Sequence, residues 1–230
     1  MKIDPAAKPF TAMAAAPTLL AAVARRRRTT LALGLLTAGV TLFFRVPDRT
    51  PDRSPIVDPD VVVDPADGLI VHAGPVQAGV GPEVDSAGEW QQVSIFLSLL
   101  DVHINRSPYG GRVVSVTHVP GRFLAAYRAA SATKNERTDI VVERVVAGET
   151  RRVLYRQLVG QLARRIVTRI RPGDDVVTGE RIGLMKFGSR MDIFLPPHVT
   201  LEVSKGRRAV AGETVLGRFP ATVPAEEATA

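Results

Sequence analysis

The sequence predicts a mainly β domain, a barrel or sandwich, preceded by an apolar helical segment at the N-terminus. Three observations predict it. Short runs of branched residues recur between residues 61 and 219, each closed by Gly, Pro, Asp or Asn. Two of the connections between these runs share one glycine-containing pattern. The first 45 residues, unlike the rest, consist of two apolar stretches around a basic block.

Phe10–Ala24 (FTAMAAAPTLLAAVA) and Thr29–Phe44 (TTLALGLLTAGVTLFF) are the two stretches, with Arg25 to Arg28 between them and Arg45, Arg49 and Arg53 after them. Each has about 15 residues, short of the roughly 20 that a helix needs to cross the hydrocarbon core. Arginine on both sides of the second stretch also argues against a single span. A helical hairpin over residues 1–45, dipping into one leaflet with its arginines on anionic headgroups, fits better. A cleaved signal peptide would place its basic residues first and follow one apolar run with small residues; here Phe43-Phe44-Arg45 follows.

Residues 46–60 (VPDRTPDRSPIVDPD) carry four prolines and alternating charges, and read as a linker. A β-rich domain is expected over 61–230. Its strands are expected at Val61–Val63, Leu69–Ala73, Gln92–Leu97, Arg112–Val119, Asp139–Val145 and Arg152–Leu158. Further runs are Ile166–Ile170, Arg181–Phe187, Met191–Leu195, Thr200–Val203 and Thr214–Phe219. One helix is expected around Arg122–Ala132. The segments 171–180 and 205–213 each run through a turn and an apolar residue to Gly-Glu and another strand, the hairpin pattern of lipoyl-like or biotinyl-like barrels. Arg164, Arg165, Arg169 and Arg171 form a basic run suited to a solvated face or a second lipid-facing patch, and Trp90 suits either the core or an interfacial anchor.

Composition narrows the chemistry. With 45% hydrophobic and 23% charged residues the chain can bury a core. Cysteine is absent, which excludes disulfides, thiolate nucleophiles and cysteine-ligated metals. The net charge of +7 favours anionic partners, acidic lipid or nucleic acid. Only 5% of residues are aromatic, and no basic stretch interleaves with them as a base-stacking platform would. Much of the basic charge belongs to the N-terminal segment. Acidic lipid is therefore the favoured partner, and nucleic acid is not.

Three clusters carry possible chemistry: Asp64-Pro-Ala-Asp67-Gly68, Leu97-Ser-Leu-Leu-Asp101-Val-His103-Ile-Asn105-Arg106-Ser-Pro108, and Phe187-Gly188-Ser189-Arg190-Met-Asp192. Singly each has a plain structural use: an Asp-Gly turn, a hydrogen-bonded histidine, a Gly-Ser bend. In this order and spacing they resemble the phosphatidylserine decarboxylase family, most closely its short bacterial form. Asn135-Glu136-Arg137, the Gly-Asp-x-Val-x-x-Gly-Glu-x-Ile-Gly run from 173 to 183, and Phe43-Phe44-Arg45 extend the likeness from about residue 43 to 220.

The resemblance implies that the chain cuts itself between Gly188 and Ser189, giving a β chain 1–188 and an α chain 189–230. Ser189 would become a covalent pyruvoyl group, His103 and Asp67 would complete the processing triad, and neither pyridoxal phosphate nor a metal would be needed. It further implies conversion of phosphatidylserine to phosphatidylethanolamine and CO2 through a Schiff base on that group, at the cytoplasmic face of a bacterial membrane, with a homodimer common among relatives. The chemistry is coherent on its own terms. A serine hydroxyl needs a nearby base, histidine is the base that titrates closest to neutrality, and a carboxylate can orient it. Loss of CO2 from an amino acid leaves electrons for which ordinary side chains offer no sink.

Arg106 stands where longer members carry a second histidine, which leaves His103 for both processing and decarboxylation, with His72, His118 and His198 as open alternatives. Arg106, Arg190 and Arg112 are candidates for the substrate's phosphate or carboxylate, and Asp192 for orienting a group near the cut. A rival of another class is a biotinyl- or lipoyl-type carrier with Lys186 as the modified lysine. It accounts for neither His103 nor Asp67.

Overall fold

The structure, a computed structural model, describes residues 2–53, 56–81, 90–128, 130–161, 165–186 and 188–221. Phe187 and Arg164, which figure in the expectations above, lie outside them. The chain divides into two compact units, one of Met1–Asp48 with Leu100–Val102, the other of Arg49–Leu99 with His103–Ala230.

The first unit is a helical hairpin. Strand β1 (Lys2–Ile3) precedes helices α1 (Lys8–Val23) and α2 (Arg27–Phe43), and β2 (Arg45–Val46) pairs antiparallel with β1 to close the base. The helices match the two apolar stretches. The turn falls at the basic block, where Arg25 takes a left-handed φ of 54°. Threonines hold the helices together: Thr18 and Thr37 hydroxyls lie 3.0 Å apart, Thr11 and Thr41 3.2 Å apart, and Thr37 donates to the Ala14 carbonyl at 2.9 Å. Leu19, Leu20, Leu31, Leu35 and Leu36 face outward and exposed. With its leading 3-10 turn the first helix spans 19 residues, Pro5–Val23, long and apolar enough by length and composition to cross a membrane. The apolar run alone is shorter because Pro5–Pro9 extend the helix with residues that are not all apolar.

The second unit is mainly β, as expected. It comprises a helical turn α3 (Thr50–Arg53), β3 (Val61–Val63), β4 (Gly68–Pro75), β5 (Gln91–Leu97), β6 (Ile104–Arg106), β7 (Gly111–Val119), α4 (Ser131–Lys134), β8 (Arg137–Val146) and β9 (Glu149–Val159). Then follow β10 (Ile166–Thr168), β11 (Asp175–Val176), β12 (Arg181–Met185), β13 (Ser189–Leu195), β14 (Thr200–Leu201), β15 (Arg208–Ala209) and β16 (Val215–Arg218). Among the described residues, eight strands form one sheet in the order β11-β7-β8-β9-β13-β5-β4-β15. Two three-stranded sheets, β10-β12-β6 and β14-β16-β3, complete the fold.

Period-two alternation assigns the faces of the large sheet. Val93, Ile95 and Leu97 of β5, Val153 and Tyr155 of β9, and Met191, Ile193 and Leu195 of β13 point into the main core. There they meet Ile182 and Met185 of β12, Val62 of β3 and Leu216 of β16. Leu154, Leu158 and Phe194 point the other way into a smaller cluster, against which Trp90 packs half-buried. Every residue of β13 is buried, so this strand sits between two packed layers.

The two similar segments fold alike. Gly173 and Gly206 have φ of 94° and 93°, and Gly179 and Gly212, six residues on, 83° and 77°. Their strands β11 and β15 lie at opposite edges of the eight-stranded sheet. The two Gly-Glu turns pack on the same residue, Pro51, whose ring leaves no room for a Cβ at Gly179 or Gly212.

Two expectations are corrected. Among the described residues of the expected 122–132 helix only Ser131 and Ala132 are helical, in the short α4; Arg122 instead bridges to Asn135, whose side chain ties the Leu124 backbone and the Val159 carbonyl together. The stretch 46–60 is no free linker. Arg49 is buried against Asp67, the Pro59 carbonyl accepts from Tyr109 and Arg151, and Asp60 pairs with Arg151.

Candidate active site

Ser189 opens β13. Its register partners are Val159 on one side and Leu97 on the other, so its side chain faces the main core. It has no solvent exposure, and its Oγ has no hydrogen-bond partner among the described residues. A buried, unsatisfied hydroxyl costs roughly 1–3 kcal/mol, a loss that ordinary structure avoids. The residue before it, Gly188, is left-handed at φ 73°, a conformation that glycine adopts without strain.

The backbone on both sides of this peptide is fixed. The Gly188 N–H donates to His103 Nε2 at 3.2 Å. That bond requires a neutral ring with its proton on Nδ1. His103, just before β6, is itself anchored through its carbonyl, which accepts from the Met185 N–H at 3.2 Å. On the far side, the Gly188 carbonyl oxygen lies against Gly160: a Cβ there would be 2.3 Å from it. The left-handed Gly188, its bond to His103 and its contact with Gly160 thus fix the backbone at the Gly188–Ser189 bond, with β9 and β5 on either side of Ser189.

Asp67 stands at the same end of the sheet. Leu69 pairs with Phe96, one residue from the Leu97 that pairs with Ser189. Its two carboxylate oxygens accept from the Ala211 N–H at 2.9 Å and Arg49 Nη2 at 2.7 Å. The hydrogen bonds of Asp67 therefore fix the 64–67 turn against Ala211 and Arg49. Nearby Asp64 is fully buried, with one oxygen accepting from the Ala66 N–H at 3.0 Å. Burial pushes its pKa well above the ordinary carboxylate range, and the Asp67 charge pushes the same way.

The arginine candidates do not gather at Ser189. Arg190 alternates to the opposite face of β13 and is locked onto Asp192 by two bonds of 2.6 and 3.0 Å. Asp192 is likewise committed to that pair. Arg106 is buried in β6, its Nη1 donating to the Gly179 carbonyl at 2.8 Å and its stem against Gly212. Arg112 is exposed beside Asp175 at the opposite end of the sheet. In the register it leads through Glu143 to Arg152, seven residues along β9 from Val159, or about 23 Å. Alternation in β13, the short span of β6 and the position of Arg112 at the start of β7 account for these placements. The other histidines are elsewhere: His72 bonds the Pro75 carbonyl, His118 lies beside Thr138 and Glu136, and His198 stacks on Phe219. Lys186 is buried at the end of β12, whereas a carrier lysine needs an exposed tip.

Comparison with known proteins identifies the family. The profile of the phosphatidylserine decarboxylase family matches residues 36–217. The chain belongs to the phosphatidylserine decarboxylase family. It is thereby an enzyme, a carboxy-lyase. Relatives named phosphatidylserine decarboxylase proenzyme include those of Pelobacter propionicus, 42% identical over 92% of this chain and 94% of that protein, and Mycolicibacterium smegmatis, 41% identical over 92% and 87%. That of Novosphingobium aromaticivorans is 39% identical over 94% of this chain and 86% of its own.

Sequence reasoning missed two features of the site. Gly160 gives no sequence signal, since its contact is formed between strands distant in the chain. Asn105 does give one: it lies two residues after His103 and so shares its face of β6.

Proposed function

We propose that this decarboxylase converts phosphatidylserine to phosphatidylethanolamine and CO2, using a pyruvoyl group it makes by cutting itself at Gly188–Ser189. The observation that carries the reading is the buried Ser189 Oγ, without a partner among the described residues, next to Gly188, whose own N–H donates to a histidine. The residues fit the group: a serine at a strand start, a left-handed glycine before it, and a chain without the competing nucleophile cysteine.

In this reading Ser189 Oγ attacks the Gly188 carbonyl carbon, and His103 Nε2, exchanging its bond with the Gly188 N–H for one with the hydroxyl, accepts the hydroxyl proton. The peptide nitrogen leaves as an amine, so the acyl group passes from nitrogen to oxygen and an ester joins the two residues. Removal of the Ser189 α-proton then expels Oγ with Gly188 as a carboxylate, and hydration with loss of ammonia leaves a ketone at position 189. The group so made supplies a sink for the electrons left on the substrate α-carbon when CO2 departs. His103, next to that position, is the acid that returns a proton to the α-carbon. Asp67 supports the site through the turn that it fixes with Arg49 and Ala211. The hairpin presents leucines to the bilayer interior and Arg25–Arg28 to anionic headgroups.

Denaturing mass spectrometry of the purified protein tests this. Two chains are expected, the smaller beginning at a blocked residue 189. Ser189→Ala should yield one uncut, inactive chain, and His103→Ala and Asp67→Asn should slow the cut. Active protein consisting of a single unmodified chain would refute the proposal.

A further inference from the structure

A second buried polar atom without a partner lies in the same interior. Asn105 has no exposure, and its Nδ2 makes no hydrogen bond among the described residues. Its other amide atom is fixed by a chain of donors: Thr168 Oγ1 donates to Gln157 Oε1 at 2.8 Å, and Gln157 Nε2 donates to Asn105 Oδ1 at 2.8 Å. The direction of that chain leaves Nδ2 as a free N–H donor. A buried polar network left unsatisfied at one end is costly to a core.

The register brings this amide to Ser189. Gln157 pairs directly with Met191, and Ser189 is the next residue on the same face of β13. Such diagonal neighbours have Cα atoms about 7–8 Å apart. On the opposite wall, Asn105 shares a face of β6 with His103, whose Nε2 already reaches Gly188. The two unsatisfied atoms are complementary: one is a donor, the other an oxygen able to accept.

We propose that the Asn105 Nδ2–H donates to the oxygen of Ser189 and assists the step in which that oxygen leaves. This rests on the self-cutting read above. In the ester, Oγ is bonded to both the Gly188 carbonyl carbon and Ser189 Cβ. When the α-proton is removed, the Cβ–Oγ bond breaks and its electron pair stays on oxygen, which becomes part of the Gly188 carboxylate. A donor aimed at this oxygen stabilises the charge as it develops, and Thr168 and Gln157 hold the donor in place. His103 then handles protons while Asn105 handles the leaving oxygen. Gln157 and Thr168 are positioning residues.

The test is to follow the cut in full-length Asn105→Ala and Asn105→Asp, with and without hydroxylamine, which opens an ester but not a peptide bond. Loss of the donor should slow formation of the two chains by about 10²–10³-fold, the size of effect seen when one such donor is removed. It should also leave a hydroxylamine-labile bond between residues 188 and 189. Asn105→Asp keeps the acceptor for Gln157 but has no N–H, so it should behave like Asn105→Ala. Thr168→Val, which leaves Asn105 in place, should slow the cut less, with the same labile bond. Normal cutting in Asn105→Asp would overturn the proposal, as would a folded Asn105→Ala or Thr168→Val that stays uncut with no labile bond. Wild-type protein that is never cut would instead refute the self-cutting reading itself.

Discussion

Gly160→Ala isolates the contact that fixes the bond proposed to be cut. Gly160 follows β9, and its missing side chain is what lets the Gly188 carbonyl oxygen approach. An alanine Cβ would sit 2.3 Å from that oxygen and 3.4 Å from the Ala126 Cβ. The second contact is tolerable, while the first is with backbone and needs roughly 1 Å of relief. The obvious group to move is the Gly188 carbonyl, the electrophile for Ser189. A misplacement of about 1 Å costs on the order of 10²-fold in rate. The stability cost is smaller. Overpacking costs about 1–3 kcal/mol, offset by about 0.4–1 kcal/mol because alanine restricts the unfolded chain. For a chain of this size the net effect is a fall of several degrees in Tm, leaving the variant folded at room temperature. A time course of the two chains on a denaturing gel, alongside a thermal melt, separates the effects. A folded Gly160→Ala that is cut at the wild-type rate would refute the claim that this contact positions the carbonyl.

Two further predictions concern buried charge. Burial raises the Asp64 pKa, so between the unfolded value and the raised one the folded chain holds more protons than the unfolded chain. Stability is therefore lost as pH rises through that window, and Asp64→Asn, which cannot ionise, should gain Tm over wild type increasingly from about pH 4 towards neutrality; a constant difference across that range would count against it. The Arg190–Asp192 pair is buried on the face away from Ser189. Arg190→Met should cost about 3–5 kcal/mol by stranding Asp192, and adding Asp192→Leu should restore most of it. If the restored double variant had lost affinity for substrate, Arg190 would have to be returned to the binding site.

Local pattern carried much of this protein. Thr214–Phe219 and the other branched runs became strands because their residue types suit a pleated, packed surface, and the glycines of 171–180 and 205–213 marked matched turns because the left-handed backbone there favours glycine. The helix expected at 122–132 failed because the Asn135 side chain, reaching Leu124 and Val159, supplies the hydrogen bonds that a helix would have made. Resemblance singled out Ser189, Gly188 and His103, whereas the face of β13 to which Arg190 turns depends on strand register, which motifs do not carry.

The order of motifs and the two apolar stretches were thus decided by the sequence alone, since spacing and hydrophobicity are properties of the chain. Contact between residues far apart in that chain was decided only by the tertiary structure. His103 meets Gly188, Gly160 meets the Gly188 carbonyl, and Asn105 reaches Gln157 because strand register sets which side chains share a face. Pairing in β13 likewise sends Ser189 inward and Arg190 outward, since neighbouring side chains on a strand point to opposite sides.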